Sequence, residues 1–404
     1  SILGTAMAIC MIMVLVITFQ VRLVDCEPEV NRSRTLYVPY MSVKQKGNSD
    51  NESANASMSV RTGRECFRAL SMPEAVTLAS GVYRVRASVP SRSKATADMV
   101  QTDEAFWTIF SFHFLSGEAF TKADCDAGLT RAVLDATTAR RLFGTTDAVG
   151  HTVQLDYVDY TVAGVVADVS MLATAAYAQI WVPYTAAGAE AMSWQNDTMG
   201  PMHAIILARS SADFDAIREE TELLRKKYND GLQDVEVFYR GQPDTQLAYL
   251  YRRWYAEPDV PGVMLRYAIV VIILLLVPAV NLSGMTLSRM RRRMAEIGVR
   301  KAFGATGGEL MRQVFFENLV LTLLAGIVGL ALSYVAAFAL NGFLFSNSMN
   351  ASLSGETALT PGMLLSPWAF IAAFAFCLLM NILSAGIPAW RASRMNITDA
   401  INQR

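Results

Sequence analysis

Chemistry needs reactive side chains held at working spacings, and this chain offers few such sets. Its three histidines, His113, His151 and His203, stand far apart with no metal-ligand spacing and read as ordinary surface or core residues. No G-x-x-x-x-G-K-[ST] run is present to cradle ATP phosphates. The glycine-containing Gly304–Glu309 (GATGGE) lacks a lysine at the required place and reads as a flexible loop. No G-x-S-x-G elbow supplies a nucleophile. Of the five cysteines, Cys10 and Cys377 fall in apolar runs, whereas Cys26, Cys66 and Cys125 fall in a polar segment. Three is an odd number and the spacings fit no metal site, so a Cys66–Cys125 bridge and unpaired thiols both stand as readings. What the chain does concentrate is positive charge: Arg289–Arg312 carries seven Lys/Arg against two Asp/Glu. In a short helix around Ala295–Phe303, Glu296 and Arg300 would form a favourable i, i+4 pair, and Gly298 would admit another backbone closely. That is the equipment of a docking surface, not of catalysis.

The elements that must hold this surface follow from composition. The 404 residues are 52% hydrophobic and 18% charged, with a mean hydropathy of +0.28. Those values exclude a disordered or collagen-like chain and are too apolar for an ordinary soluble enzyme. The apolar residues gather in uncharged blocks, Ser1–Val21, Tyr267–Ser288, a run near Leu319–Leu340 and a run near Trp368–Ala389. Each meets the roughly 18 residues that a hydrocarbon core of about 30 Å demands, so four transmembrane helices are expected. Ser1 opens the first block with neither a Met nor a basic start; a retained helix is expected there in preference to a signal peptide, with further residues upstream. The basic loop and the tail with Arg391, Arg394 and Arg404 lie inside by the positive-inside rule, and Asn341–Ser366, which has no Lys or Arg, lies outside. Both termini are then inside.

The expected partition is span one at 1–23, an outer domain at 24–262, span two at 263–288 and a cytoplasmic loop at 289–317. Span three follows at 318–341, a short outer loop at 342–366, span four at 367–390 and the tail at 391–404. Val24–Gly262 holds 23 basic and 31 acidic residues, a net of −8 that argues against a nucleic-acid partner. It reads as α+β, with strands alternating with short helices. Strands are expected at Val82–Ser88, Leu129–Asp135, Thr152–Asp156, Tyr160–Asp168, Ile180–Val182, Ala204–Ala208 and Val235–Tyr239. Helices are expected at Arg64–Leu70, Asp103–Ile109, Ala136–Phe143 (stopped by Gly144) and Ser211–Tyr228, with a helical stretch from Pro243 to about Glu257. Lys44–Ser59 reads as a loop and Tyr157–Asp159 as a turn. Span three carries a stripe of small residues, Ala325, Gly329, Ser333 and Ala337, suited to close helix approach either across a dimer interface or within one subunit. Pro278 and Asn281 interrupt span two.

The run E-I-G-V-R-K-A-x-G-A (Glu296–Ala305) resembles the signature of FtsX-type permeases, membrane subunits of the MacB/LolC/FtsX class of ABC transporters. Pro388–Ile401 (PAWRASRMNITDAI) resembles the closing pattern of that family but departs from it at Ile397, where proline is usual. Phe106–Gly117 (FWTIFSFHFLSG), Ala139–Gly150 (ARRLFGTTDAVG) and YTVAGVVADV look like the MacB-type periplasmic domain; Phe106, Phe110, Leu142, Phe143 and Val165 there read as core. The resemblance implies a four-helix membrane protein with its large α+β domain periplasmic, in the bacterial inner membrane. It implies mechanotransmission, a second permease (identical or a paralogue) and an ABC ATPase, separate or fused, that holds ATP and Mg. No cofactor is expected in this chain. Arg293, Glu296, Gly298, Arg300, Lys301 and Gly304 are the residues it sets against the ATPase. Efflux of a periplasmic substrate with an adaptor and an outer-membrane channel is the leading activity implied. Lipoprotein release of the LolC/LolE kind and FtsX-like control of a cell-wall hydrolase are the alternatives, the latter disfavoured by the size of the outer domain.

Overall fold

The structure is a computed structural model that describes residues 2–47, 53–90, 94–254, 256–274, 303, 306–344, 370–372, 374–376 and 378–379. The chain divides into two compact units, one built on Arg22–Val260 and the other on Ser1–Val21 with Pro261–Phe345 and Leu359–Arg404.

The outer unit has two lobes with separate cores. The first is entered through β1 (Thr35–Val38), β2 (Met41–Gln45), β3 (Ala54–Ala56), the short helix α2 (Val60–Gly63), a wider helical turn at Arg64–Arg68, and β4 (Ala75–Ser80). The second lobe follows as one insertion: β5 (Tyr83–Ser88), β6 (Lys94–Thr102), α3 (Phe106–Ile109), β7 (Phe114–Gly117), α4 (Lys122–Asp126), β8 (Arg131–Asp135), α5 (Ala136–Phe143), β9 (Thr152–Leu155), β10 (Val158–Val166) and β11 (Ile180–Pro183). The chain then completes the first lobe with β12 (Met202–Leu207), α6 (Phe214–Gly231), β13 (Val235–Phe238), β14 (Asp244–Thr245) and α7 (Gln246–Tyr251).

Lobe one holds an antiparallel sheet in the order β14-β1-β12-β4 and a smaller one, β13-β2-β3. Lobe two holds seven strands in the order β7-β10-β8-β11-β6-β5-β9. Strand β9 pairs with both β5 and β10, so six of these strands close on themselves. Closure leaves their ladder without free edges. β8 and β10 run parallel with α5 between them, the βαβ element that the alternation of strands and helices implies. Helix α5 forms there because Asp135 accepts from Thr138 N at 2.7 Å and Gly144, at φ 81°, ends it. Phe106, Phe110, Leu142, Phe143 and Val165 are all buried, as expected of core residues.

Several sequence expectations are corrected. The turn between β9 and β10 sits at Asp156 and Tyr157, one residue earlier than Tyr157–Asp159, because both adopt left-handed backbone (φ 42° and 75°) and close a two-residue hairpin. The expected loop Lys44–Ser59 contains the end of β2 and all of β3, which pair as Val43↔Ala54. The helical stretch expected to run to Glu257 stops at Tyr251, since Arg252 turns extended. Cys66 and Cys125 are buried free thiols, not a bridge. Cys66 lies in the core of lobe one, with burial pushing its thiol up to about 12; Cys125 is likewise held at about 12.

The other unit contains α1 (Ile2–Gln20), α8 (Val260–Leu274), α9 (Gly307–Ala339) and α10 (Asn341–Leu344), together with helical residues among 370–379. Among the described residues one helical segment, Leu319–Ala339, is long and apolar enough to cross a membrane. Ile9–Gln20 and α8 are apolar but shorter. Helix α9 begins inside the stretch read as a flexible loop: Thr306 and Glu309 form a reciprocal capping box at its N-terminus.

Candidate functional site

Arg293, Glu296, Gly298, Arg300, Lys301 and Gly304 lie outside the described residues. The small-residue stripe is described. Ala325, Ser333 and Ala337 are buried, and a Cβ at Gly329 would stand 2.6 Å from Ala6 O and 3.0 Å from Ile9 Cβ. At Gly329 the stripe of α9 therefore packs on α1 of the same chain, at a separation that only glycine permits. On the adjoining side, a Cβ at Gly326 would meet Phe374 at 3.1 Å.

Within the outer unit, a second set of residues draws together where the chain enters at Arg22 and leaves at Val260. On the entry segment, Arg32 and Glu29 form an ion pair at 2.7 Å with both side chains 1% exposed. Every arm of the pair is used. The guanidinium also donates to Val24 O at 2.6 Å and to Leu172 O; Glu29 Oε1 accepts from Ala175 N at 2.7 Å and Ala176 N at 3.0 Å. Ser111 N adds a bond to Pro28 O at 2.9 Å. Leu172, Ala175, Ala176 and Ser111 all belong to lobe two, so the entry segment is fastened to that lobe.

The exit segment is fastened to lobe one. Arg252 grips Asp244 through two nitrogens, with Nη2 2.8 Å from Oδ1, and their side chains are 1% and 3% exposed. It also donates to Ala256 O and Arg240 O, each at 3.0 Å. Asp244 lies on β14, which pairs with β1, and Tyr249 of α7 stacks on Tyr37 of β1 with ring centroids 4.5 Å apart. A bond from Gln246 Nε2 to Arg22 O at 3.0 Å joins the two segments. A buried charge stripped of its partner is strongly destabilising, so each pair behaves as a rigid joint.

Between the fastenings lies a cleft of about 420 Å³ whose walls come from lobe one, lobe two and α7. At one side His203 Nε2 is 2.8 Å from Ser57 Oγ, and burial pushes the imidazole down to about 4. The ring is neutral at physiological pH.

None of these joints was singled out from sequence. Glu29 and Arg32 carry a faint signal, opposite charges three apart beside a proline; Asp244 and Arg252 are eight apart and carry none.

A family model for the MacB-like periplasmic core domain matches residues 1–224, and a model for the FtsX-like permease C-terminal matches residues 268–397. The chain belongs to the MacB/FtsX-type ABC permeases. It is an ABC transporter permease subunit, a membrane protein with a periplasmic domain. The macrolide export ATP-binding/permease protein MacB of Escherichia coli (strain K12) is 26% identical over 314 residues, covering 76% of this chain and 43% of that protein. MacB of Chromobacterium violaceum is 25% identical over 307 residues with the same coverage. The chain thus spans less than half the length of the curated relatives it matches. Among solved structures, the extracellular domain of the noncanonic ABC-type transporter YknZ from Gram-positive bacteria covers 49% of this chain and 99% of its own, at a TM-score of 0.35 and 16% identity. The periplasmic region of MacB from Actinobacillus actinomycetemcomitans covers 50% and 90%, at a TM-score of 0.36 and 18% identity.

Proposed function

We propose that this permease converts ATP hydrolysis on an ABC ATPase, separate or fused, into a change of shape in its periplasmic domain, and that the change drives export of a periplasmic substrate. The observation that carries the reading is the pair of buried joints. The entry segment holds lobe two through Glu29–Arg32, and the exit segment holds lobe one through Asp244–Arg252. A displacement of the entry segment is then passed to lobe two as well as to β1, which the segment leads into, since the joint cannot slip without unpairing a buried charge.

In this reading four helices cross the inner membrane with both termini cytoplasmic, and a second permease completes the assembly. A periplasmic adaptor and an outer-membrane channel would take the substrate onward. The relatives are named for macrolide export, which makes a transported small molecule the first class to try. The loop with Glu296, Arg300 and Lys301 faces the ATPase, and ATP with Mg is held there, not by this chain.

The test is the double variant Glu296→Lys with Arg300→Glu. It is expected to insert normally and to lose permease-dependent stimulation of ATP hydrolysis in reconstituted complexes. Undiminished stimulation would remove the coupling claim. Purification in mild detergent with mass spectrometry of every co-purifying chain tests the partners; recovery with no ATPase, fused or separate, would overturn the export reading.

A further inference from the structure

We infer that the cleft between the two lobes of the periplasmic domain is a binding site for a small, electrically neutral, ring-bearing molecule with hydrogen-bonding groups. The site is separate from ATP coupling and does not depend on the export reading.

The lining fixes the class of ligand. Tyr37, Tyr40, Tyr177 and Tyr249 contribute four aromatic side chains, with His203 and Arg252 beside them. Aromatic walls favour a ring laid against them. Among the described residues the one charged side chain in the lining, Arg252, is committed to Asp244 and to two carbonyl oxygens. The imidazole of His203 faces the ring edge of Tyr40, with centroids 6.0 Å apart, and is engaged by Ser57. A charged ligand would lose its hydration and meet no countercharge, which selects against anions and cations alike.

A second, independent observation points to a missing partner. Tyr37 is 2% exposed and lines the cleft, yet its hydroxyl has no hydrogen-bond partner among the described residues. The hydroxyl of Thr174, on the wall from lobe two, is in the same condition. Buried polar groups are nearly always paired. Two orphans on opposite lobes of one cleft fit a ligand that bridges them and holds the lobes together. The volume is in the range of small-molecule sites, roughly 300–1,000 Å³.

The test uses the full chain in lipid nanodiscs and a water-soluble neutral probe, benzamide, titrated by saturation-transfer NMR against protein-free nanodiscs. Benzoate and benzamidine serve as its anionic and cationic counterparts. Saturable binding of benzamide is expected, with both charged analogues at least tenfold weaker. Tyr37→Phe removes an unpartnered hydroxyl, so it is expected to keep the fold and weaken binding at least fivefold. Gly81 lines the cleft, and a Cβ there would make ordinary contact with His203 Cε1 at 3.8 Å. Gly81→Phe is therefore expected to fill the site and abolish saturable binding, while Gly81→Ala keeps it. Absence of saturable binding to the unaltered chain, equal binding of all three probes, or undiminished binding to a folded Gly81→Phe would each overturn the inference.

Discussion

Glu29 does two jobs with one carboxylate: it neutralises Arg32 and satisfies the amide protons of Ala175 and Ala176. Glu29→Ala leaves a buried guanidinium without a countercharge, and a loss of about 3–5 kcal/mol is expected. Glu29→Gln keeps an acceptor for the amides and should cost less. Denaturant titration of the purified chain, followed by tryptophan fluorescence, measures both. Other buried groups set the pH response. Burial pushes Asp103 up to about 6, although Thr77 Oγ1 donates to it at 2.6 Å and Leu78 N at 3.1 Å; burial also pushes Asp135 up to about 6. Such a carboxyl binds its proton more tightly in the native state than in the unfolded one, whose value is near 3.8. Stability therefore falls as pH rises from about 4 to 6 and is level above that. His203, held at about 4, acts in the opposite sense over the same window, losing stability as pH falls. Relative to Asp103→Asn, the unaltered chain should lose roughly 2–3 kcal/mol between pH 4 and 7. Equal unfolding midpoints of the two proteins across that range would contradict this assignment.

At the scale of elements, the contact between α1 and α9 turns on one glycine. Gly329→Ile would drive a side chain into the backbone carbonyl of Ala6, an atom that cannot rotate away. A loss of about 1–3 kcal/mol and a lower melting temperature in detergent are expected. Gly308→Ala on the same helix, where a Cβ meets nothing within 4 Å, should leave the melting temperature unchanged or slightly raised. This contact was half legible in sequence: the spacing of Ala325, Gly329, Ser333 and Ala337 announced close packing, but no pattern on one helix names the helix that fills it. The same limit explains which elements of the outer unit could be read. Helix α5 has a capping aspartate and a terminal glycine, α6 is amphipathic, and β5 alternates in exposure, so each carries its signal locally. Strands β1, β4 and the second half of β6 are buried along nearly their whole length and show no alternation. Such strands lack the period-two pattern by which a half-exposed strand is recognised. The joints and the cleft were illegible for a related reason: their partners meet only after two lobes have folded around them.

At the scale of the whole molecule, the joints predict a separation of activities. Asp244→Asn leaves the shape of the exit segment but weakens its hold on Arg252. On the proposed export function, basal ATP hydrolysis by the assembled transporter is expected to persist while substrate extrusion falls at least tenfold; parallel ATPase and transport assays on reconstituted protein decide it. Equal losses in both would make the joint a folding requirement only.

The nesting of lobe two inside lobe one bears on how the protein is made. Strand β12 sits between β1 and β4, so the sheet of lobe one cannot assemble until Met202–Leu207 has arrived, long after its two neighbours have been synthesised. Pairing across such sequence separations is slow and leaves strand edges unprotected in the interval. Lobe two, continuous in sequence, can close its ring of strands during that wait. Biogenesis is therefore ordered from the inside outward, and the period before β12 docks is when β1 and β4 are most open to proteolysis or to pairing with another nascent copy.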